Sequence, residues 1–398
     1  MTIGLAKETY IIGAARTPIG RFLGGLAALR APELGAVAIR AAIERAEVKP
    51  AEIDGVIMGN VCPAGIGQAP ARQAAVIGGV PVEVPALTVN KVCGSGMIAV
   101  ALACQQIKAG DARIIVAGGQ ESMSNVPYYL KTLRQGNKMG HAQLQDGMIY
   151  DGIWDYFGDV HMGELADFTA RNSSISREAQ DRWALRSHQN AVAAIREGRF
   201  KAEIIPVSIP QKKGEPVVID TDEGPRADTT LEKLAGLKPV FSRDGTVTAG
   251  NASSINDGAA ALVIASGDFV KNRGLKPAAR IVAYATGSVE PKMLFYAPVK
   301  AVRKLLEIQG VELDYFDLIE VNEAFAAQVL ADAQELGLDE SRVNVNGGAI
   351  ALGHPIGCSG ARILVTLIHA LKHRGLRHGL AAICLGGGEA VAMSLELI

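Results

Sequence analysis

The stretch that decides how this chain is interpreted is Asn90-Lys91-Val92-Cys93-Gly94-Ser95-Gly96-Met97, a glycine turn between two apolar runs. The run before it, residues 85–89, predicts a buried strand, and the Ala-rich run over residues 97–107 predicts a helix. The turn therefore places Cys93 at a helix N-terminus, where free N–H groups and the helix dipole favour the nucleophilic thiolate. The two glycines leave room for a substrate to reach the sulfur. A small buried cysteine in a tight turn is the alternative that this segment leaves open.

Two further glycine turns near the C-terminus carry reactive side chains. Cys384 ends an apolar run and is followed by three glycines at residues 386–388. His354 lies in a glycine- and proline-rich turn over residues 346–357, ahead of a helix predicted over residues 359–371. A lone turn histidine is usually a surface residue, but two cysteines and a histidine in such turns suggest a nucleophile, a base and a second acid/base.

The two ends of the chain repeat one order of elements, which indicates an internal duplication. Ala31-Pro32 and Ala297-Pro298 each head a predicted helix, where proline suits the first turn. The other matching pairs are residues 10–17 with 281–287, 53–60 with 316–322, 94–96 with 358–360, and 114–121 with 382–389. The repeated order, strand-helix-strand-helix-strand, predicts an α/β protein with mostly parallel sheets covered by helices.

Seven segments, in the same order along the chain, resemble the thiolase family of acyl-CoA acyltransferases, and most closely its acetoacetyl-CoA branch. They are residues 90–97, 118–124, 161–163, 248–253, 321–325, 353–357 and 384–388. The resemblance covers essentially the whole chain. It implies a five-layered core built from two duplicated β-α-β-α-β halves, with an inserted loop domain. The N-terminal half is expected over residues 1–124, completed by 249–279, the loop domain that covers CoA over 125–248, and the C-terminal half over 280–398.

The resemblance also implies a reaction and the residues that perform it. Two acetyl-CoA molecules would give acetoacetyl-CoA and CoA in a reversible thioester Claisen condensation, with an acyl group carried on Cys93. His354 would be the base that activates Cys93, and Cys384 the acid/base for the second substrate. His354 and a water held by Asn322 would form one oxyanion hole, and the N–H groups of Cys93 and Gly386 the other. CoA would be substrate and product, with no permanently bound cofactor.

Five further residues are implied to bind the substrate. His161 would lie near the thioester arm, Ser253 would contact the pantetheine, Arg226 would lie near the CoA adenine, and Phe325 and Leu294 would line the acyl pocket. Judged without the resemblance, Arg226 is an ordinary solvated loop charge. On the same terms, Asn322 has a plain helix N-cap as its alternative.

Some positions depart from the family pattern. Phe295 and Tyr296 are bulky, whereas the family has a small, glycine-containing segment before Pro298. This departure motivates the hypothesis that the acyl pocket prefers a substrate other than acetoacetyl-CoA. The roles of Glu389, just past the Cys384 turn, and of Cys358, next to the His354 turn, stay open.

Composition narrows the classes of partner and compartment. The 398 residues include 40 basic and 41 acidic side chains, a net charge of −1, and no polybasic run, so neither nucleic acid nor a membrane is an expected partner. No apolar stretch is expected to span a bilayer, and no signal peptide is expected. Five cysteines without Cys-x-x-Cys spacing favour free thiols, no metal site and a cytoplasmic location. The resemblance implies a homotetramer, a dimer of dimers.

Four alternatives remain at this point. A cysteine hydrolase is possible from a cysteine and a histidine alone, but a second reactive cysteine would serve no purpose there. A degradative 3-ketoacyl-CoA thiolase would share the chemistry and have a wider pocket. A 3-ketoacyl carrier-protein synthase would share the duplicated fold, but Cys384 and the long insert argue against it. A non-catalytic CoA-binding subunit of a larger complex would not need four intact reactive side chains.

Overall fold

The computed structural model describes residues 8–398. The expectation about a signal peptide therefore concerns a segment that lies mostly outside the described residues. The strands are β1 (Thr9–Arg16), β2 (Gly20–Arg21), β3 (Gly55–Gly59), β4 (Ala86–Val89), β5 (Ile114–Ser122), β6 (Tyr128–Tyr129), β7 (Gln145–Asp146), β8 (Trp154–Asp155), β9 (Val160–His161), β10 (Val207–Ile209), β11 (Val217–Ile219), β12 (Asn256–Ser266), β13 (Ala279–Ser288), β14 (Leu318–Val321), β15 (His378–Leu385) and β16 (Glu389–Leu397). The α-helices are α1 (Ala31–Arg45), α2 (Pro70–Ile77), α3 (Ser95–Ala109), α4 (Met162–Asn172), α5 (Arg177–Arg196), α6 (Leu231–Ala235), α7 (Gly267–Arg273), α8 (Ala297–Gln309), α9 (Ala326–Leu336), α10 (Ala349–Leu352) and α11 (Ile356–Arg374).

The large strands form one continuous sheet in the order β14-β15-β16-β13-β1-β12-β5-β3-β4, with β2 beside β12. Strands β1, β12, β5, β3 and β4 come from one half of the duplication. Strands β14, β15, β16 and β13 come from the other half. The halves meet edge to edge where β1 pairs with β13, through Thr9–Ile281, Tyr10–Arg280 and Ile11–Ala279.

The prediction of mostly parallel sheets was wrong. Strand β3 is parallel to β4 and β5, and β14 is parallel to β15, but the pairings of β1, β12, β13 and β16 are antiparallel. The reason is the last strand of each half, β12 or β16, which runs antiparallel to its neighbours. Strand β16 follows β15 after a three-glycine turn, and only an antiparallel pair can be joined by so short a connection.

Helices and sheets stack in five layers, as expected. Helices α3 and α11 pack on each other and lie between the two halves of the sheet; α3 contacts β3 and β5, and α11 contacts β14 and β15 as well as β5. Helices α1 and α2 cover the outer face of one half, and α8 covers the outer face of the other.

Glycines at equivalent places in the two halves allow α3 and α11 to approach closely. A Cβ at Gly96 would lie 2.7 Å from the Ala361 nitrogen, and a Cβ at Gly360 would lie 2.6 Å from the Met97 nitrogen. The reciprocal contact is what a pseudo-twofold axis between the halves produces.

Two expectations about apolar segments need correction. Strand β4 is the edge of the sheet and Leu87 is 47% exposed, so this strand is not buried. The segment Val92–Ala109 does have the length and hydropathy of a membrane span. It forms the interior helix α3, whose residues pack against α11 and the sheet.

Residues 125–248 form a separate set of small hairpins and helices on the side of the sheet that carries the cysteine and histidine turns. Helix α5 begins after the N-cap Ser176, whose Oγ accepts a hydrogen bond from the Ala179 nitrogen at 3.1 Å. Helix α4 packs on α9, and α5 packs on α9 and α10. The division into halves and loop domain at the stated boundaries stays a prediction.

Candidate active site

The three glycine turns converge on one cavity of about 190 Å³. Cys93 lies just before α3, His354 lies between α10 and α11, and Cys384 lies near the end of β15. All three line the cavity. So do five of the other predicted residues: Gly386, His161, Ser253, Phe325 and Leu294.

The turn before α3 is built to present Cys93. Val92 has a φ of 44°, in the left-handed region that costs a branched residue energy. The Ser95 hydroxyl compensates by accepting from the Lys91 nitrogen at 2.8 Å and donating to the Val92 oxygen at 2.6 Å. These two hydrogen bonds hold the strained turn in place and so position the neighbouring Cys93 sulfur.

The resting state of Cys93 differs from the sequence-based expectation. Burial raises the pKa of the Cys93 thiol to about 12, although the N–H groups of Gly386 and of Cys93 itself point at the sulfur and lower it. The helix N-terminus thus does not produce a resting thiolate. The same two N–H groups are available to an oxyanion that forms beside the sulfur.

His354 is a neutral base held in one tautomer. Its Nδ1 lies 2.6 Å from the Ser359 Oγ, which in turn donates to the Pro355 oxygen at 2.9 Å. Because the serine hydrogen is used there, Ser359 accepts the Nδ1 hydrogen, and the Nε2 atom carries the lone pair. Nε2 has no hydrogen-bond partner among residues 8–398. Burial, reinforced by the positive charge of Arg362, lowers the pKa of His354 to about 4.

Cys384 is the more deeply buried of the two reactive thiols, with 2% of its surface exposed. Burial raises the pKa of Cys384 well above its usual value, and the nearby Cys93 adds to the effect. The turn that follows uses left-handed backbone at Gly387 and Gly388, with φ values of 86° and 91°. This turn brings the Gly386 N–H back toward Cys93.

Asn322 is fully buried at the end of β14, and neither polar atom of its amide has a partner within the described part of the chain. An unpaired buried polar group costs about 1–3 kcal/mol, so the amide is suited to hold a water or a substrate atom. The helix N-cap alternative is wrong, because the N-cap of α9 is Phe325. Asn322 is not among the residues that line the cavity.

Sequence reasoning missed Glu121, a buried carboxylate that organises the floor of the site. It accepts hydrogen bonds from Asn60 Nδ2 at 2.5 Å and from the nitrogens of Val61, Cys62 and Gly357 at 2.9, 3.1 and 2.9 Å. Burial raises the pKa of Glu121 to about 7 against the effect of these donors. The carboxylate joins the loop after β3 to the first turn of α11, and so to the histidine turn.

Glu323 was also missed as a structural partner. Its carboxylate accepts from Trp183 Nε1 at 3.0 Å and from the Ser187 hydroxyl at 2.7 Å, both on α5, and from Asn344 Nδ2 at 2.9 Å. It therefore ties the loop after β14, which carries Asn322, to the insert. The available signal for both glutamates was a charged residue at the carboxyl end of an apolar strand, within β5 for Glu121 and two residues past β14 for Glu323.

Aromatic rings form one wall of the cavity. The His161 ring stacks on Phe241 with centroids 4.5 Å apart, and Phe325 meets the edges of Phe241 and Phe295 at 6.3 and 5.4 Å. His161 Nδ1 accepts from the Gly163 nitrogen at 3.0 Å, which fixes the ring at the start of α4. Burial lowers the pKa of His161, which favours the neutral ring.

Arg226 lies apart from the other predicted residues, in a neighbouring cavity of about 400 Å³. Arg21, His188 and Lys233 also line this second cavity, together with one acidic residue, Asp228, which lies 2.6 Å from Lys233 Nζ. The two cavities adjoin, because both are lined by Ala252, Ser254 and Ile255. A wide, basic cavity that opens into a narrow, apolar one suits a ligand with an anionic head and a thin arm.

Within residues 8–398, no group of three or more His, Cys, Asp and Glu side chains is arranged to hold a metal ion. The five cysteines are free thiols.

Comparisons with known proteins agree with this geometry. Residues 9–268 match the thiolase N-terminal domain, and residues 275–397 match the thiolase C-terminal domain. Proteins named acetyl-CoA acetyltransferase from Pseudomonas aeruginosa and Cupriavidus necator are each 54% identical over 98% of this chain and 99% of their own length. The crystal structure of the Bacillus anthracis acetyl-CoA acetyltransferase superposes with a TM-score of 0.97 at 45% identity, covering 99% of both chains. Matched along nearly all of its length in sequence and in structure, this chain belongs to the thiolase family.

Proposed function

We propose that the protein is an acetyl-CoA acetyltransferase, which condenses two acetyl-CoA molecules to acetoacetyl-CoA and CoA and catalyses the reverse thiolysis. The observation that carries the proposal is the convergence of Cys93, His354 and Cys384 on one narrow cavity, with two N–H groups directed at the Cys93 sulfur. The similarity to relatives of that name supports the choice of substrate.

In the first step, the Cys93 thiol gives its proton to His354 Nε2 as the sulfur attacks the acetyl-CoA carbonyl. Both groups are neutral at rest, so the ion pair forms only as the reaction proceeds. The negative charge that develops on the carbonyl oxygen is received by the N–H groups of Cys93 and Gly386. CoA then leaves as a thiol with the proton of Cys384, which becomes a thiolate, while His354 keeps the Cys93 proton and the acetyl group stays on Cys93 as a thioester.

In the second step, the Cys384 thiolate takes a proton from the methyl group of a second acetyl-CoA. The resulting enolate oxygen is stabilised by His354 and by a water on Asn322, whose unpaired amide provides the place for it. The carbanion attacks the acetyl group on Cys93, the carbon–carbon bond forms, and the sulfur leaves and recovers its proton from His354. In thiolysis the same groups act in the opposite order.

The second cavity would bind the adenine and phosphate end of CoA near Arg226, and the pantetheine arm would run past Ser253 to the sulfurs. CoA is then a substrate and product, and the reaction uses no permanently bound cofactor. Between acetoacetyl-CoA and the longer substrates of a degradative thiolase, the cavity of about 190 Å³ beside Cys93 favours the shorter. The proposed assembly is a homotetramer, and the proposed location is the cytoplasm.

The test is thiolysis of acetoacetyl-CoA by purified protein and CoA, followed by loss of the 3-ketothioester absorbance. Cys93→Ala should reduce the rate by at least about a thousandfold, because the acyl carrier is lost. Cys104→Ala is the matched control, since Cys104 is buried in α3 and lines neither cavity. Native protein that is inactive on acetoacetyl-CoA and on longer 3-ketoacyl-CoAs would refute the proposed function.

A further inference from the structure

The two reactive sulfurs pack against different apolar clusters. Cys384 belongs to a cluster with Leu294, Phe295 and Phe325, which we call the aromatic cluster. Cys93 packs against a second cluster that includes Met123, together with Val61, Cys62, Met148 and Ile356, which we call the Met123 cluster. Both clusters contribute side chains to the wall of the cavity. A substrate held between the sulfurs therefore meets a different wall at each end.

The side chains of the aromatic cluster have little room to move. Phe295 is 2% exposed and meets the edge of Phe325 at a centroid distance of 5.4 Å. The next residue, Tyr296, is anchored through its hydroxyl, which lies 2.9 Å from Asn172 Nδ2 and 2.6 Å from Ser173 Oγ at the end of α4. The contact with Phe325 and the hydrogen bonds of Tyr296 therefore hold Phe295 in place in the wall beside Cys384.

We propose that the two clusters select different parts of a 3-ketoacyl-CoA: Phe295 excludes a substituent on the α-carbon, and Met123 limits the length of the acyl chain received by Cys93. The inference rests on the proposed function, since it takes Cys384 as the group that exchanges the α-proton. The α-carbon must then face the wall around Cys384. The sequence led us to expect a preference away from acetoacetyl-CoA, whereas the packing around Phe295 points to a narrower preference for it.

The chemistry of thiolysis makes the two walls separable. The Cys93 sulfur bonds to the β-carbonyl carbon, the bond between the α- and β-carbons breaks, and the α-carbon takes the proton of Cys384. The CoA thiol then attacks the acyl group on Cys93 and returns a proton to Cys384, while the Cys93 sulfur recovers its own proton from His354. With 2-methylacetoacetyl-CoA the products are propionyl-CoA and acetyl-CoA, and the extra methyl group stays on the α-carbon throughout.

The experiment compares kcat/KM for thiolysis of acetoacetyl-CoA, 2-methylacetoacetyl-CoA and 3-ketohexanoyl-CoA. Native protein should prefer acetoacetyl-CoA over the 2-methyl substrate by about tenfold or more, since a pocket that rejects one methyl group discriminates by roughly 10–200-fold. Phe295→Ala should reduce that preference by about tenfold and leave the chain-length preference within about twofold. Met123→Ala should reduce the chain-length preference by about tenfold and leave the preference for acetoacetyl-CoA over the 2-methyl substrate within about twofold. Phe295→Leu serves in place of the alanine variant if the latter does not fold.

Phe316→Leu is the matched control, because Phe316 is a buried phenylalanine, 1% exposed, that lines neither cavity. It should lower the melting temperature without changing either preference. Equal use of acetoacetyl-CoA and 2-methylacetoacetyl-CoA by native protein would overturn the inference, as would parallel changes of both preferences in the two variants. These results leave the proposed function intact, whereas a native protein inactive on all three substrates overturns both.

Discussion

At Cys93 and His354, burial sets protonation states that a sequence motif does not reveal. A cysteine before a helix suggested a thiolate, but burial disfavours the charged form of both groups. Cys93 and His354 are therefore uncharged at rest. The base is nevertheless ready, because Ser359 holds the Nδ1 hydrogen and leaves Nε2 free. The residue identities could be predicted from glycine turns and family resemblance, whereas their resting charges depend on the surrounding packing.

The low pKa of His354 has a measurable consequence for activity. Protonation of Nε2 removes the base, so the acid limb of kcat/KM should have its midpoint at a pH of about 4. The ordinary imidazole value of 6.5 would place it higher. A profile of thiolysis against pH, with stability checked at each point, measures this midpoint. A midpoint near the ordinary value would show that His354 is more solvated than the structure indicates.

The same pKa shift affects stability with a definite sign. Between pH 6.5 and about 4 the unfolded chain protonates this histidine and the folded chain does not. His354 therefore contributes a loss of stability as the pH falls through this window. Glu121 acts in the opposite sense between pH 4.5 and about 7, where the folded state holds the extra proton. Where the two windows overlap, between pH 4.5 and 6.5, the contributions of His354 and Glu121 therefore oppose each other.

Ser359→Ala should lower kcat by about 10–100-fold with little change in KM, because the imidazole loses the acceptor that fixes its tautomer. Steady-state kinetics on acetoacetyl-CoA measure both constants. Ser394→Ala is the control, since Ser394 is a buried serine on β16 that lines neither cavity. An unchanged kcat in Ser359→Ala would mean that Ser359 does not orient His354.

At the scale of elements, helix and strand positions in the two halves followed from apolar runs, prolines and glycine turns. Strand direction did not, because the sequence shows where a strand lies but not that β12 and β16 run antiparallel to their neighbours. The hydrogen-bond partners of Glu121 and Glu323 could not be predicted from the sequence either. Their partners come from distant segments, such as Gly357 for Glu121 and Trp183 for Glu323, which only the folded chain brings together.

The crossing of α3 and α11 predicts which glycines are indispensable. Gly96→Ala and Gly360→Ala should each destabilise the protein by about 1–3 kcal/mol or more, because the added methyl group meets backbone atoms that cannot move independently. Gly236→Ala is the control, with a φ of −70° and its nearest neighbour at an ordinary 3.5 Å from the added Cβ. Denaturant unfolding of the three variants measures the difference. Equal stability of all three would contradict close contact of the helices.

At the scale of the whole molecule, we infer that residues 131–146 would form the contact between dimers in the proposed tetramer. Leu133, Met139 and Leu144 in this segment are 63%, 92% and 62% exposed in the single chain. Apolar side chains so exposed are suited to contact another copy. Replacing the segment with a short glycine-serine linker should convert a tetramer into a dimer that retains thiolysis. Light scattering after gel filtration gives the mass, and a variant that remains tetrameric would exclude this segment from the interface.

The meeting of the two halves along β1 and β13 also bears on how activity returns after denaturation. Cys93 belongs to one half, and His354 and Cys384 belong to the other, so neither half alone carries a complete set of reacting groups. Secondary structure can form within each half before the halves dock. During refolding, catalytic turnover should therefore recover later than the circular dichroism signal. The delay between the two measures how long the halves take to dock.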